Sequence, residues 1–483
     1  MQRRRLTMDT RTIFTAALAV VFAGGAASIA DAQTTLPRPQ QIGGDAPAGV
    51  DPGRRFAQPP AIPDAVTNRA VFGNPVVLDQ DYSLPELLEL AAANNPTLLQ
   101  ARYQITAQLA TAQEAGLYPN PTVSAVNEQL FIKDIYAEYA VLEIEQRIVT
   151  AGKLQLSRDK YLQRAKVAEH LAVAQQFRVC NDVRVHFYRV LAADERIRLH
   201  RELVKSAEDG LKTAREELNL GQTNEAGIRQ SNIALQRARL NLLTQENDRR
   251  RHVAELSALV GCDLSGAVFS GDLTPPDVIP NFDAEYARIV GSSPEVLAAH
   301  AKLREDHLTL RREEVEPIPD VIIGAGPGYN FDANDTIANA FVRVEIPLFD
   351  RNQGNIKKAK VDINRQQLEV TRTELDLKRR LADQFAILAT ALSGAFEYEQ
   401  SILPDSKSTY RMKLEAYKDN RIDWADVLRA QVDYTQSRLE LVDRQLTART
   451  SMTMIGGYLL SGGLNPADSP IPAGHMDSTP NPR

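Results

Sequence analysis

The chain has 483 residues, 43% of them hydrophobic and 24% charged, with a formal net charge of −6. That length allows several ordinary domains and that apolar fraction is the one of a folded protein. The charge balance excludes a basic nucleic-acid surface, and a total of two cysteines, Cys180 and Cys262, excludes a disulfide-framework protein.

The N-terminus reads as a targeting signal. Arg3, Arg4, Arg5 and Arg11 precede an apolar run over 13–27, and Ala30-Asp31-Ala32 supplies small residues for cleavage before Gln33. Residues 1–32 are therefore expected to be a signal peptide, and the mature chain to leave the cytoplasm. The run is short for a membrane anchor, and no second apolar segment of about 20 residues follows. Residues 33–81 form a proline-rich lead-in of extended character.

Ser83 then caps a helix whose first turn holds Pro85 and Glu86. It breaks near Asn95-Pro96 and resumes to about Gly116. Two strand-like segments follow. Over 139–149, Ala140, Leu142, Ile144 and Ile148 alternate with Glu143, Glu145 and Arg147, a period of two with an apolar and a charged side. Its partner is expected over 122–131, after Pro119-Asn120-Pro121.

The next stretch, 153–219, contains no proline and one glycine, Gly210. Leu203, Ala207, Leu211, Ala214 and Leu218 recur at helical steps among good helix formers. At about 1.5 Å per residue it predicts a rod of roughly 100 Å, too long for a compact globule. A turn at 221–225 leads to a second long helix, 226–260, ending at Gly261.

After a linker at Pro275, Pro276 and Pro280, the pattern returns. Ser293-Pro294 repeats Asn95-Pro96, and Pro317-Ile318-Pro319 repeats Pro119-Asn120-Pro121. Ala340, Val342, Val344, Ile346 and Leu348 alternate around Arg343 and Glu345, and Gly354 takes the place of Gly152. A second very long helix is expected over 355–419, interrupted by Pro404. The chain thus reads as two copies of one unit, 82–274 and 275–461. Strand pairs lie near 119–149 and 317–349, and long helical hairpins over 153–261 and 355–460. Residues 462–483 are expected to be a disordered tail.

The fold class is mainly α with a small β part. Strands with one apolar and one charged face suit a transmembrane barrel, which must close because an open sheet edge cannot face lipid. Four strands are too few to close alone, so several chains must contribute if this is a barrel, and three would give twelve strands. Glu143, Glu145, Arg147, Arg343 and Glu345 would then line its lumen. Phe131, Tyr136, Tyr139, Tyr329, Phe331 and Phe341 would form an aromatic girdle. On pattern alone, hairpins of a soluble domain remain the alternative.

The chain resembles the TolC family of trimeric outer-membrane efflux channels, and within it the CzcC-like branch that serves heavy-metal pumps. The likeness is carried by Asn94-Asn95-Pro96, Pro119-Asn120-Pro121, 146–152, and above all Ile346-Pro347-Leu348-Phe349-Asp350-Arg351-Asn352-Gln353-Gly354, with 226–240 and 423–439. The resemblance implies a homotrimer with a barrel in outer-membrane lipid above an α-helical periplasmic tunnel. It also implies a periplasmic adaptor and an RND-type inner-membrane pump as partners. Gly221, Gln222, Thr223, Asn420, Arg421 and Ile422 would be the tips that meet the adaptor. Asp426 matches an acidic ring that narrows the tunnel mouth, with Asp423 and Tyr417 in the same network. Arg429 stands where some relatives carry a second acid, and would pair with Asp426 or with Glu225.

No nucleophile motif, phosphate loop or zinc-type cluster is evident, so a passive conduit without enzyme activity or cofactor is expected. His300 and His307, seven apart on one helix face, read as surface histidines, not metal ligands. Cys180 and Cys262 lie equally far from the turn at Gly221, which would let a disulfide form in an oxidising periplasm. Metal cations are the preferred cargo by resemblance. Drug efflux, type I protein secretion and a pore-free periplasmic coiled-coil scaffold are the other readings.

Overall fold

The structure is a computed structural model. It describes residues 81–131, 136–219, 224–276, 279–419 and 421–471, without side-chain surroundings for 127–138. The expected signal peptide and residues 33–80 lie outside the described residues.

Strand β1 (Asp81–Tyr82) precedes α1 (Leu84–Asn94), whose Ser83 and Glu86 form the expected capping box. Asn95 interrupts the helix and caps α2 (Pro96–Ala115), its side chain accepting from the Thr97 amide at 2.9 Å. Strands β2 (Thr122–Phe131) and β3 (Tyr136–Ile148) follow, and Ala151 and Gly152, both at positive φ, turn the chain into α3. Helix α3 runs Lys153–Asn219 without a break, the span the sequence predicts. Helix α4 (Glu225–Val260) returns beside it and ends at left-handed Gly261. There a Cβ would press on the backbone of Asn94, so glycine is required twice over. Strand β4 (Val268–Phe269) pairs in parallel with β1, a contact too short to read from sequence.

The second copy repeats this with α5 (Phe282–Ser292), α6 (Pro294–Val315), β5 (Val321–Asn330) and β6 (Asp335–Val344), then α7 (Gln353–Glu397), α8 (Leu403–Lys418) and α9 (Trp424–Gly456). Three details differ from expectation. The left-handed residue before α7 is Asn352, not Gly354; asparagine tolerates that conformation, and Gly354 sits inside the helix. Strand β6 ends at Val344, earlier than the alternation suggests, because Pro347 has no N–H for a ladder. Pro404 does not end the long helix. The turn before it, Tyr398–Ile402, widens to a π-helix and the chain continues as α8.

Helix α3 is the spine. Helices α2, α4, α6 and α9 all pack on it, so its buried residues occupy several faces and alanine dominates them: Ala165, Ala168, Ala172, Ala174, Ala192 and Ala193. Small side chains let neighbouring helices approach closely on every side, which a single leucine stripe would not allow. Ala192, Leu199 and Val442 join α3 to α9, and Ala207, Leu211 and Leu235 join α3 to α4. Each buried leucine contributes on the order of 1.5–3 kcal/mol.

The α3–α6 seam also holds buried charge. Arg164 and Glu305 are fully buried, with Arg164 Nε 2.7 Å from Glu305 Oε1. Lys302 Nζ lies 3.2 Å from Glu305 and 2.8 Å from Asp306. The sequence gives no sign of this cluster, since Arg164 and Glu305 are 141 positions apart.

Residues 462–471 are not a loose tail. The Gly462 and Gly463 amides donate to Asp182 Oδ2 at 3.0 and 2.7 Å, Gln175 donates to the carbonyls of Gly463 and Asn465, and Arg178 pairs with Asp468. This segment is strapped onto α3. Residues 472–483 lie outside the described residues.

Candidate functional site

The four longer strands form one antiparallel sheet in the order β2-β3-β5-β6. Its register sorts the side chains by face. Val123 pairs with Ile144, Ile144 with Ala325, and Ala325 with Ala340. On this side Val123, Leu142, Ile144, Ile323, Val342 and Val344 are all exposed. An apolar sheet face open on that scale needs a cover other than water.

The opposite face is polar. Ser124 pairs with Glu143 and Thr122 with Glu145, while Arg147 and Arg343 both oppose Ile322. Glu143 accepts from the Asn339 amide, and the Arg343 guanidinium lies 4.0 Å from Glu145 and over the Phe341 ring. Glycines keep this face clear. A Cβ on Gly326 would overlap the Leu142 carbonyl oxygen, and one on Gly324 would overlap the Phe341 ring. Of the five expected lumen residues, Glu143, Glu145, Arg147 and Arg343 share this face. Glu345 falls one residue past β6, but lines a cleft at the sheet's base together with Arg147, Arg343, Lys153 and Asp320.

That base is tied down by Asp320, which takes Arg147 at 2.6 Å, Lys153 at 3.0 Å and the Thr150 amide at 3.1 Å. Burial alone would raise its carboxyl. The Thr150 amide and the two cations outweigh burial and hold it below the usual carboxylate range. The strap fixes the sheet to the first residue of α3.

Tyr329 and Phe331 lie together at the far end of the sheet, ring centroids 5.3 Å apart, and Phe131 and Tyr136 pair across the β2–β3 end. Tyr139 pairs with Asn330 at that end. Phe341 does not belong with them. It opposes Gly324, nearer the base and on the polar face.

At the other end of the long helices the two hairpins meet. Gly221, Gln222, Thr223 and Asn420 lie outside the described residues. Arg421 is exposed and pairs with Asp419, and Ile422 is half-buried. Helix α9 begins at Trp424, whose indole packs on Gly210 so closely that a Cβ there would overlap its Nε1. That contact accounts for the single glycine in α3. Tyr417 stacks edge-on against Trp424 at 5.1 Å, and its hydroxyl donates to Glu217 at 3.4 Å. Burial and the carboxylates of Glu217 and Glu216 push the Tyr417 phenol up. Ser206 with Gln431, Arg438 with Glu202, and Arg196 with Asp443 continue the seam between α3 and α9.

Arg429 pairs with Asp426 at 3.2 Å, one helical turn apart, while Glu225 pairs with Arg229. Asp423 stands at the N-cap position of α9, exposed and without a capping hydrogen bond. His300 and His307 are both exposed.

The disulfide is absent: Cys180 and Cys262 are free thiols. The two helices are neighbours, as expected. Cys262, however, follows left-handed Gly261, so the helical facing assumed for it has already ended. Burial also pushes the Cys180 thiol up to about 11, which keeps it protonated and a poor nucleophile.

Among the described residues no helix is long and apolar enough to cross a membrane. Residues 87–262 match the family described as Outer membrane efflux protein. The first of the chain's two repeats carries that family's pattern. An outer membrane efflux protein carries its membrane-spanning part in the sheet and its tunnel in the long helices. Over 364 residues it is 25% identical to the cobalt-zinc-cadmium resistance protein CzcC of Cupriavidus metallidurans, a match covering 74% of this chain and 85% of that one. It is 21% identical over 337 residues to the probable outer membrane lipoprotein SilC of Salmonella typhimurium, covering 66% and 72%. The crystal structure of CusC shares the fold at a TM-score of 0.64 and 15% identity, covering 83% of this chain and 99% of that one. The TolC-family, CzcC-like resemblance is borne out, and the protein is an outer-membrane efflux channel with a periplasmic helical tunnel.

Proposed function

We propose that three copies of this chain close a twelve-stranded barrel, and that the channel passes divalent metal cations delivered by a periplasmic adaptor and an RND-type inner-membrane pump. Two surfaces support the trimer. The sheet leaves the outer edges of β2 and β6 unpaired among the described residues, and an open edge cannot stand in lipid. Helix α7 also carries Val361, Leu368 and Leu375, seven residues apart and exposed, and the stripe continues through Ala382 and Ala389 to exposed Phe396. A sustained heptad on an unpartnered helix face suits another helix.

The metal cargo rests on the likeness to the cobalt-zinc-cadmium resistance protein. Conduction requires sites weak enough to leave, and the polar sheet face offers carboxylates without a closed ligand set. At the mouth, Asp426 with its neighbour Arg429 would form a ring of charge about the axis, Asp423 would add to it, and Tyr417 would brace the hairpins that frame it. Arg421 and Ile422, with the tip residues 221–223 and 420, would meet the adaptor.

A deletion strain grown against Co, Zn, Cd, Cu and Ni salts beside dyes and detergents tests the cargo. Hypersensitivity to the metals is expected. Sensitivity confined to the organic compounds would overturn it.

A further inference from the structure

One cluster of ligating side chains lies away from both the sheet and the mouth. His186 stands midway along α3, and His252 and Glu255 sit three residues apart on α4, on one helix face. His252 Nδ1 is 3.0 Å and His186 Nδ1 is 3.1 Å from the same carboxylate oxygen, Glu255 Oε2. All three ligand atoms lie within 4.8 Å of one another. The imidazole rings are tilted at 53° with centroids 6.3 Å apart, so they flank the carboxylate instead of stacking.

The His186 contact is close but is not aligned as a hydrogen bond. Its Nδ1 is a buried ring nitrogen with no hydrogen-bond partner. A buried polar atom left in that state is costly. A cation between the three atoms would satisfy it.

We propose that His186, His252 and Glu255 bind a borderline divalent cation such as Zn2+ or Co2+, cross-linking α3 to α4 within the first hairpin. Two imidazoles and one carboxylate are a donor set for zinc-like ions, whereas Mg2+ and Ca2+ prefer oxygen throughout. Metal–ligand distances of about 2.0–2.2 Å place donors some 3 Å apart, close to the two spacings present. Glu255 is 38% exposed, which leaves the site open to solvent for ion entry and for a water as fourth ligand. Burial, ahead of Arg189, lowers the proton affinity of His186, and Glu255 and Asp182 act in the opposite sense; the ring is therefore held neutral with a lone pair to offer. For Glu255, partial burial acts upward but His252 and His186 outweigh it, so the carboxyl stays ionised.

This site is independent of what the channel carries. It would tie the wall helix to its neighbour near the point where α4 ends, and so couple the firmness of the hairpin to periplasmic metal. The sequence holds one signal for it, His252 and Glu255 at i and i+3; the third ligand is 66 positions away from His252 and becomes visible only in the fold.

The test uses the full chain without a histidine tag, stripped by chelator in detergent. Calorimetry should find one Zn2+ site per chain that a large excess of Mg2+ does not displace, and Co2+ should give visible absorption bands of a mixed nitrogen–oxygen site. His252→Gln and Glu255→Gln should each weaken binding by at least the ~10–100-fold lost on removing an outer partner of a ligand. Glu255→Gln keeps a polar side chain of the same size, so it reports on the site even where His252→Gln folds poorly. Absence of Zn2+ binding by the unmodified chain overturns the proposal, as does unchanged affinity in Glu255→Gln or equal competition by Mg2+. Unchanged metal tolerance of the deletion strain, with Zn2+ binding intact here, would count against the cargo alone.

Discussion

Two helical runs of comparable length present opposite surfaces. Helix α3 is enclosed by α2, α4, α6 and α9, and even arginine and glutamine side chains along it are buried. The α7–α8 run packs on α5, α6 and α9 and leaves Val361, Leu368, Leu375, Phe396 and Met412 exposed; α8 has no buried residue. One long helix is completed by its own chain. Its repeat counterpart keeps the same length and turns an apolar heptad outward. Duplication supplied two similar rods, and their surfaces then diverged into spine and contact face.

The sharpest way to break that contrast is inside the spine. Glu305→Ala leaves Arg164 and Lys302 buried without their shared carboxylate and should cost about 3–5 kcal/mol, read as a large fall in Tm of the detergent-solubilised channel. Removing Asp376 from its pairs with Arg379 and Arg380 on exposed α7 should cost about 0–1 kcal/mol. Equal costs would erase the distinction between the two rods.

Leu368→Ala with Leu375→Ala attacks the other half. Each leucine should contribute about 2–5 kcal/mol if a neighbouring copy buries it, yet change the single chain's stability by only about 0.5 kcal/mol. Loss of heat-resistant trimers on a gel, with unchanged helical circular dichroism, is expected. Trimers as robust as the unmodified protein's would show that the stripe faces something else.

Smaller effects lie where spine and second hairpin touch. Gly210→Ala pushes a methyl into the Trp424 indole and should cost about 1–3 kcal/mol by overpacking, with higher basal conductance as the seam loosens. Asp426→Ala removes one partner of an exposed pair, so stability should move by less than about 1 kcal/mol. Single-channel conductance or its block by divalent cations should nevertheless change, and no change in either removes Asp426 from the gate.

Much of the spine was legible because its signals are local. An unbroken run from Lys153, a left-handed turn at Gly152 and a cap at Gly261 fix helix ends by backbone rules alone. The strand faces were legible for the same reason, since Glu143, Glu145 and Arg147 alternate with leucine and isoleucine. Beyond the ends of the ladder that rule misleads. The alternation through Ile346 and Leu348 continues past the last paired residue, which drew Glu345 into a strand that ends at Val344; Phe341 lies within the ladder, and only its height along the strand was misjudged. What could not be read was distant pairing: Arg164 with Glu305, His186 with Glu255, Asp182 with the Gly462 and Gly463 amides. Each such group looks like an ordinary solvated side chain until the fold brings its partner.

Trp424 is the chain's only tryptophan. Its ring rests against Gly210 where the two hairpins join, half-buried and beside Tyr417. The protein therefore carries its own fluorophore at the seam most sensitive to separation of the helices. A red shift and new iodide quenching of its emission would report that separation in the unlabelled protein, with every other part of the molecule dark at that wavelength.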